Sequence, residues 1–327
     1  MLLGKGPIAA VCLVLGGCLP VLAAETSLGE TESAYIVSEP EKKSWWLASH
    51  ETVSETIGEW SASIDTFLSG APSRYDPESH LQIRFGSVLG EEQSSGFFDF
   101  KTRLRLPNTQ DRLRLVIESE KDSLAPESLR GESSQDRSIF SSALATSVSV
   151  AVQYLKEDVG LEVDSGIRVD FPLDPFLRIR FNQAGDDKTW GWWQKQEAFA
   201  YYSKGVGVSY GLGLGYQQSA TLRYGIDASI TWLDKENRFY ARENVSLQHI
   251  LNEKSRLSYQ LSFLQSGQHD LEPETVLYSV QYERQVYRDW LIVQVRPQFT
   301  HEADNDYDSE FSLTLALAIF LGPDYLD

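Results

Sequence analysis

Two periods of hydrophobic repetition divide the chain. Between Ser44 and Ser69 the apolar positions Trp46, Val53, Ile57, Trp60, Ile64, Phe67 and Leu68 recur mostly at spacings of three, four and seven, which puts them on one side of an α-helix. Gly70-Ala71-Pro72 then ends it, since glycine closes helices in the left-handed conformation and proline cannot continue one. After His80 the period becomes two. Leu81, Ile83 and Phe85 alternate with Gln82 and Arg84, and Phe98, Phe100, Leu104 and Leu106 with Asp99, Lys101, Arg103 and Arg105. The same alternation marks segments at 113–117, 148–154, 161–171, 177–181, 206–216, 222–232, 257–263, 276–282, 291–295 and 311–319.

A strand crossing a bilayer needs about 9 to 11 residues, whereas strands of soluble sandwiches average five or six. With their flanking residues, these segments reach the membrane length. One face is apolar and the other polar or charged in nearly every one, which predicts lipid outside and a polar lumen inside. The expected fold is all-β, a transmembrane antiparallel up-and-down β-barrel carrying an N-terminal amphipathic helix. Turn spacing gives fourteen strands between residues 81 and 320, with twelve as the alternative count.

An even count returns the C-terminus to the starting side. Tight turns are expected on that side at Pro107-Asn108-Thr109, Lys156-Glu157-Asp158, Gly185-Asp186-Asp187, Gln217-Gln218-Ser219, Asn252-Glu253-Lys254 and Tyr287-Arg288-Asp289. Longer connections at 122–142, 265–274 and 301–310 fall on the other. Trp190, Trp193, Tyr216, Tyr224, Tyr287, Trp290 and Phe320 then form one aromatic girdle, and Tyr201, Trp232, Phe239, Phe263 and Tyr278 the second. From hydropathy alone no outward face is distinctly less apolar than the others, which leaves the oligomeric state open.

Composition narrows the class. The 327 residues carry 47 acidic against 29 basic side chains, a net charge of -18. That excludes a phosphate-reading nucleic-acid binder. Residues 1–24 have Lys5, an apolar run through Val21 and Ala23-Ala24, the pattern of a signal peptide. Leu15-Gly16-Gly17-Cys18 offers a second processing route, with Cys18 as a lipidated first residue. Both cysteines, Cys12 and Cys18, lie in this segment, so a chain cut after Ala24 contains no thiol. Residues 25–78 form an acidic periplasmic region, a loose tether over 25–42 followed by the helix, and 79–327 the barrel. The helix has three readings: packed on protein, lying in a membrane interface, or plugging a pore. Its Glu51, Glu55 and Glu59 weigh against an anionic lipid surface.

Together the leader, a mature chain without cysteine, the alternating strands and a last strand ending on the aromatic Phe320 resemble Gram-negative outer-membrane β-barrel proteins, porin-like ones included. The resemblance covers residues 81–320 and rests on pattern; Leu321–Asp327 departs from it by extending past the aromatic. It implies a bacterial outer-membrane location, contact with outer-membrane lipid and lipopolysaccharide, and insertion by the barrel assembly machinery.

Candidate chemistry lies on the inward positions. Arg103, Arg105, Arg112 and Arg114 are expected to project into the lumen from neighbouring strands, with Arg178 and Arg180 further round and Glu162, Asp164 and Asp170 between. A basic patch facing an acidic one sets a transverse field that selects small polar or anionic solutes; the competing reading is a salt-bridged interior that fills the barrel. An enzyme acting on lipids is the second class, resting on His249, His269 and His301, but no His-x-Ser arrangement is present. Asp304, Asp306 and Asp308, with Glu310, are weak metal candidates: the run lacks the glycine and terminal glutamate of a calcium loop. No cofactor is expected. The function that follows is a channel or transporter for small polar solutes with a possible helical plug; the alternative is a structural or lipid-modifying barrel without an open pore.

Overall fold

The structure, a computed structural model, describes residues 44–73, 78–90, 94–109, 112–118, 148–169 and 173–326. The leader with its two cysteines, the tether, the long connection at 122–142 and Asp170 lie outside the described residues.

Among the described residues one α-helix and fourteen strands, with four single-turn 3-10 helices between or after them, make up the fold. The α-helix and strands are α1 (Trp45–Ser69), β1 (His80–Gly90), β2 (Ser94–Leu106), β3 (Leu113–Glu118), β4 (Val148–Lys156), β5 (Leu161–Val169), β6 (Asp174–Asp186), β7 (Trp190–Tyr201), β8 (Gly205–Ser219), β9 (Leu222–Leu233), β10 (Arg238–Asn252), β11 (Ser255–Gly267), β12 (Glu272–Tyr287), β13 (Leu291–Glu302) and β14 (Ser309–Leu321). Each strand pairs antiparallel with its chain neighbours, and β1 closes on β14 from Leu81↔Leu321 to Gly90↔Ser312. The fourteen-strand count therefore holds. All six expected tight turns fall, to within a residue or two, at the end that carries α1 and the C-terminus.

Exposure across the sheet is the reverse of a water-soluble protein's. Val208 and Leu212 are 51% and 45% exposed, while Thr231 and Ser262 are fully buried and Asp164 and Arg178 nearly so. Register makes this systematic: Leu212 pairs with Ala228 and Ile230 with Tyr210 on the outside, whereas Asp164 meets Arg178 and Arg84 meets Asp99 inside. An apolar exterior around a polar interior is stable only where the surroundings are themselves apolar. No helix among the described residues is long and apolar enough to cross a membrane.

Register also corrects three girdle positions. Trp193 and Tyr201 share the inward parity of Glu197, and Phe320 that of Ala318. The last strand ends one residue later, on outward Leu321. Trp190, Tyr216, Tyr224, Trp232, Phe239, Phe263 and Tyr278 do face outward.

The helix lies against the outside of the wall. Fully buried Ile57 packs with Leu104 and Leu321, flanked by Leu81, Ile83, Leu115 and Ile319, all of outward parity. Polar side chains on the same stripe satisfy backbone groups that the strand ends leave open. Ser61 Oγ donates to Arg105 O (2.6 Å), Asp65 Oδ2 accepts from Asn108 N (2.9 Å), Ser54 Oγ accepts from Gly322 N (3.1 Å) and His50 Nε2 lies 3.0 Å from Phe320 O. Trp46 and His50 cover Trp290. Gly70 closes the helix at φ 69°, its N–H on Thr66 O. This position corrects the plug expectation: the apolar face is spent on the outer wall and the helix does not enter the lumen.

Two further stripes complete the helix. Trp45, Val53, Trp60 and Phe67, spaced by eight, seven and seven, are exposed beside the apolar wall. Glu51, Glu55 and Glu59 point elsewhere. Ile57→Ala is expected to weaken docking by about 2–5 kcal/mol, the usual cost of truncating a buried isoleucine. Protease cleavage within 44–73 should rise sharply while the barrel stays resistant; unchanged cleavage would contradict this anchor.

Candidate functional site: the lumen wall

Inward side chains sort into three regions. On β5–β7, Arg178 donates through Nε (2.8 Å) and Nη2 (2.5 Å) to Asp164 Oδ2, which Arg180 Nη2 also reaches at 2.6 Å. Arg180 lies 3.0 Å from Glu162, Glu197 lies 4.0 Å from Arg178, and Lys195 reaches Glu197 at 3.1 Å. Three cations and three carboxylates neutralise one another along adjacent strands. At the loop end of this wall Arg168 bonds Asp174 and Ser203 and sits over the Tyr201 ring, itself packed with Phe176 and Phe199.

The second region, β1–β3, is basic. Arg84 pairs with Asp99 at 2.8 Å and Arg105 with Glu78 at 2.5 Å. Arg105 stands opposite Arg114 in register, Arg103 opposite Val116, and Lys101, on the same face, opposite Glu118. Arg103 Nε is buried with no hydrogen-bond partner. Arg296 of β13 is a further cation, its Nε likewise buried without a partner and Arg84 its charged neighbour.

The third region is a wall of small groups. Gly207, Gly211, Gly213 and Gly215 alternate with outward residues on β8, and β9 continues with Gly225, Ser229 and Thr231. The glycines are covered from β7: a Cβ at Gly213 would stand 2.3 Å from Trp193 Nε1, and one at Gly207 2.3 Å from Phe199 Cζ. Gly207, Gly211 and Gly213 thus admit aromatic rings. Asp227, Asn244 and Ser262 form a hydrogen-bonded strip beside them.

The expected residues thus divide. Glu162, Asp164, Arg178 and Arg180 converge, but as a self-paired brace on neighbouring strands and not as an acidic wall facing a basic one. Arg103, Arg105 and Arg114 gather near the helix-end mouth. Arg112 is not on a strand: it stands exposed in the turn before β3, its N–H on Thr109 O. Sequence reasoning missed Arg84, Asp99, Lys195, Glu197 and Arg296, although Arg84 and Asp99 were visible as inward members of alternating runs.

Asp304, Asp306 and Asp308 do not converge, and among the described residues no three His, Cys, Asp or Glu side chains are placed to hold a metal ion. His301 Nδ1 contacts Tyr307 O at 3.0 Å; no hydroxyl among the described residues is hydrogen-bonded to His249, His269 or His301.

The chain matches no protein-family model and no curated protein. Solved structures similar to it include a loop-L8 deletion mutant of OmpT, an outer membrane protein of Vibrio cholerae, at 10% identity, 74% coverage of this chain, 98% of that one and a TM-score of 0.46. A bacterial polysaccharide outer membrane secretin follows at 12% identity, 74% and 98% coverage and 0.44. The NanC porin stands at 10% identity, 73% and 98% coverage and 0.39.

Proposed function

We propose that this outer-membrane-type barrel is a passive channel for small polar solutes, anions favoured, with the helix end in the periplasm. The supporting observation is the width of the closed barrel, with the described α-helix on its outside. Fourteen strands about 4.8 Å apart and tilted by roughly 40° enclose a backbone cylinder about 28 Å across. Barrels of eight strands are filled by their side chains; here Ser229 and Thr231 on β9 and Ser312, Thr314, Ala316 and Ala318 on β14 face inward, and the described α-helix lies outside. The surplus positive charge at the mouth draws anions. The exposed Trp45, Trp60 and Phe67 stripe suits the headgroup level of the inner leaflet, with Glu51, Glu55 and Glu59 in water.

Planar-bilayer recording of refolded protein, with and without residues 25–78, tests this. Conductance steps of the same size are expected in both forms. Steps only after truncation would restore the plug, and silence in both, with barrel folding confirmed by heat-modifiable migration, would remove the channel.

A further inference from the structure

Two strands do not follow the hydropathy alternation of the others. On β7 the inward side carries Trp193, Phe199 and Tyr201 beside Lys195 and Glu197, and the outward side, beyond Trp190 and Trp192 at its start, carries Gln194, Gln196, Ala198 and Ala200. Outward parity is fixed by register, since Gln196 pairs with Phe181 and Tyr210, and Gln194 with Gln183 and Leu212. On β10 outward Glu243 lies opposite Ala228 and Phe263. Outward amides and a carboxylate gather on this side of the barrel: Gln183 on β6, Gln194 and Gln196 on β7, and Glu243 on β10 beside Gln265 of β11. Helix α1 covers the other side, over β14, β1 and β2.

The amides on this face are only partly satisfied. Gln194 bonds Gln183 and accepts from Tyr210 Oη at 3.2 Å, whereas Gln196 has no hydrogen-bond partner among the described residues. Above it Ala198 floors a groove of about 490 Å³ walled by Phe181, Tyr210, Trp232 and Phe239. Acyl chains offer no donor or acceptor, and headgroups lie at the strand ends, so lipid leaves the Gln196 amide unpaired.

We propose that this face, centred on Gln194, Gln196 and Ala198, pairs with the same face of a second copy within the membrane. Copies inserted in one direction and related by a two-fold axis along the membrane normal meet at equal depth, so Gln196 faces Gln196. An amide both donates and accepts, which makes the patch complementary to itself. The alanine floor leaves a groove between the rings of Phe181, Tyr210, Trp232 and Phe239 that side chains of the second copy can enter. The inference rests on the membrane-spanning reading and is independent of conductance.

The test uses the full chain with Cys12→Ser and Cys18→Ser, so that an added cysteine is the only thiol. Gln196→Cys is compared with Val152→Cys, an outward position on β4, after reconstitution into phosphatidylcholine–phosphatidylglycerol vesicles at high lipid ratio and oxidation. At least tenfold more disulfide dimer is expected from Gln196→Cys. A Gln194→Leu/Gln196→Leu chain, whose surface suits lipid better and which should insert at least as well, is expected to dissociate at least tenfold more readily. Heat-modifiable migration scores insertion. Equal crosslinking at both positions, or unchanged association of the leucine variant, in inserted protein overturns the pairing alone; failure of the parent to insert overturns the membrane reading with it.

Discussion

Asp164→Ala is expected to cost the barrel about 3 kcal/mol or more of stability, the low end of the 3–5 kcal/mol typical when one partner of a buried ion pair is removed. Asp164 and Arg178 are 1% and 3% exposed at their side chains, so the loss leaves a guanidinium that water barely reaches. The low end applies because Arg178 keeps Glu197 at 4.0 Å and Arg180 keeps Glu162 at 3.0 Å. Adding Arg178→Met should recover most of the deficit, since the stranded charge goes with it. Denaturant unfolding in vesicles reads both values. A single variant as stable as the parent would show that lumenal water already solvates the pair, and that the β5–β7 network is no brace.

How much of this was legible follows from which side of the wall a residue occupies. Outward positions solvated by lipid must be apolar, so β1–β6, β8, β9 and β11–β14 announced themselves by period two, and the turns between them were placed to within a residue or two. Strands β7 and β10 were implied only by turn spacing. Their outward Gln194, Gln196 and Glu243 and inward Trp193, Phe199 and Tyr240 invert the alternation on which the rule depends. The same inversion misassigned Trp193 and Tyr201 to a girdle. The helix was legible as a helix but not as an exterior one, because an apolar stripe with interspersed serines serves a lumen or a strand rim equally well. Only the outward parity of Leu81, Leu104 and Leu321 decides between them. Charge partners were the least legible: inward parity gives Arg178 and Asp164 a common face, while their pairing depends on the relative register of β5 and β6, which no local pattern encodes.

That distinction gives opposite expectations for arginines that look alike in sequence. Arg178 and Arg180 sit in a set of three cations and three carboxylates, so their fields cancel within a few ångströms. Arg103 and Arg114 belong to a group in which Arg84, Lys101, Arg103, Arg105 and Arg114 outnumber the carboxylate-bearing positions Asp99, Glu78 and Glu118. A unit charge on the wall acts on an ion near the axis, about 8 Å away, with about 0.5 kcal/mol in water, reduced to about 0.2 kcal/mol by 0.1 M salt. Arg103→Glu with Arg114→Glu changes the wall by four units, or about 1 kcal/mol for an anion and the opposite for a cation. The anion-to-cation permeability ratio should therefore fall about tenfold or more in a salt-gradient reversal-potential measurement, and the fall should shrink at 1 M salt as the Debye length contracts. Lys195→Gln, within the neutral set, should shift the ratio by far less. Equal shifts from both sites would mean that the whole wall sets selectivity; no shift from Arg103→Glu/Arg114→Glu would mean that permeating ions do not pass this mouth.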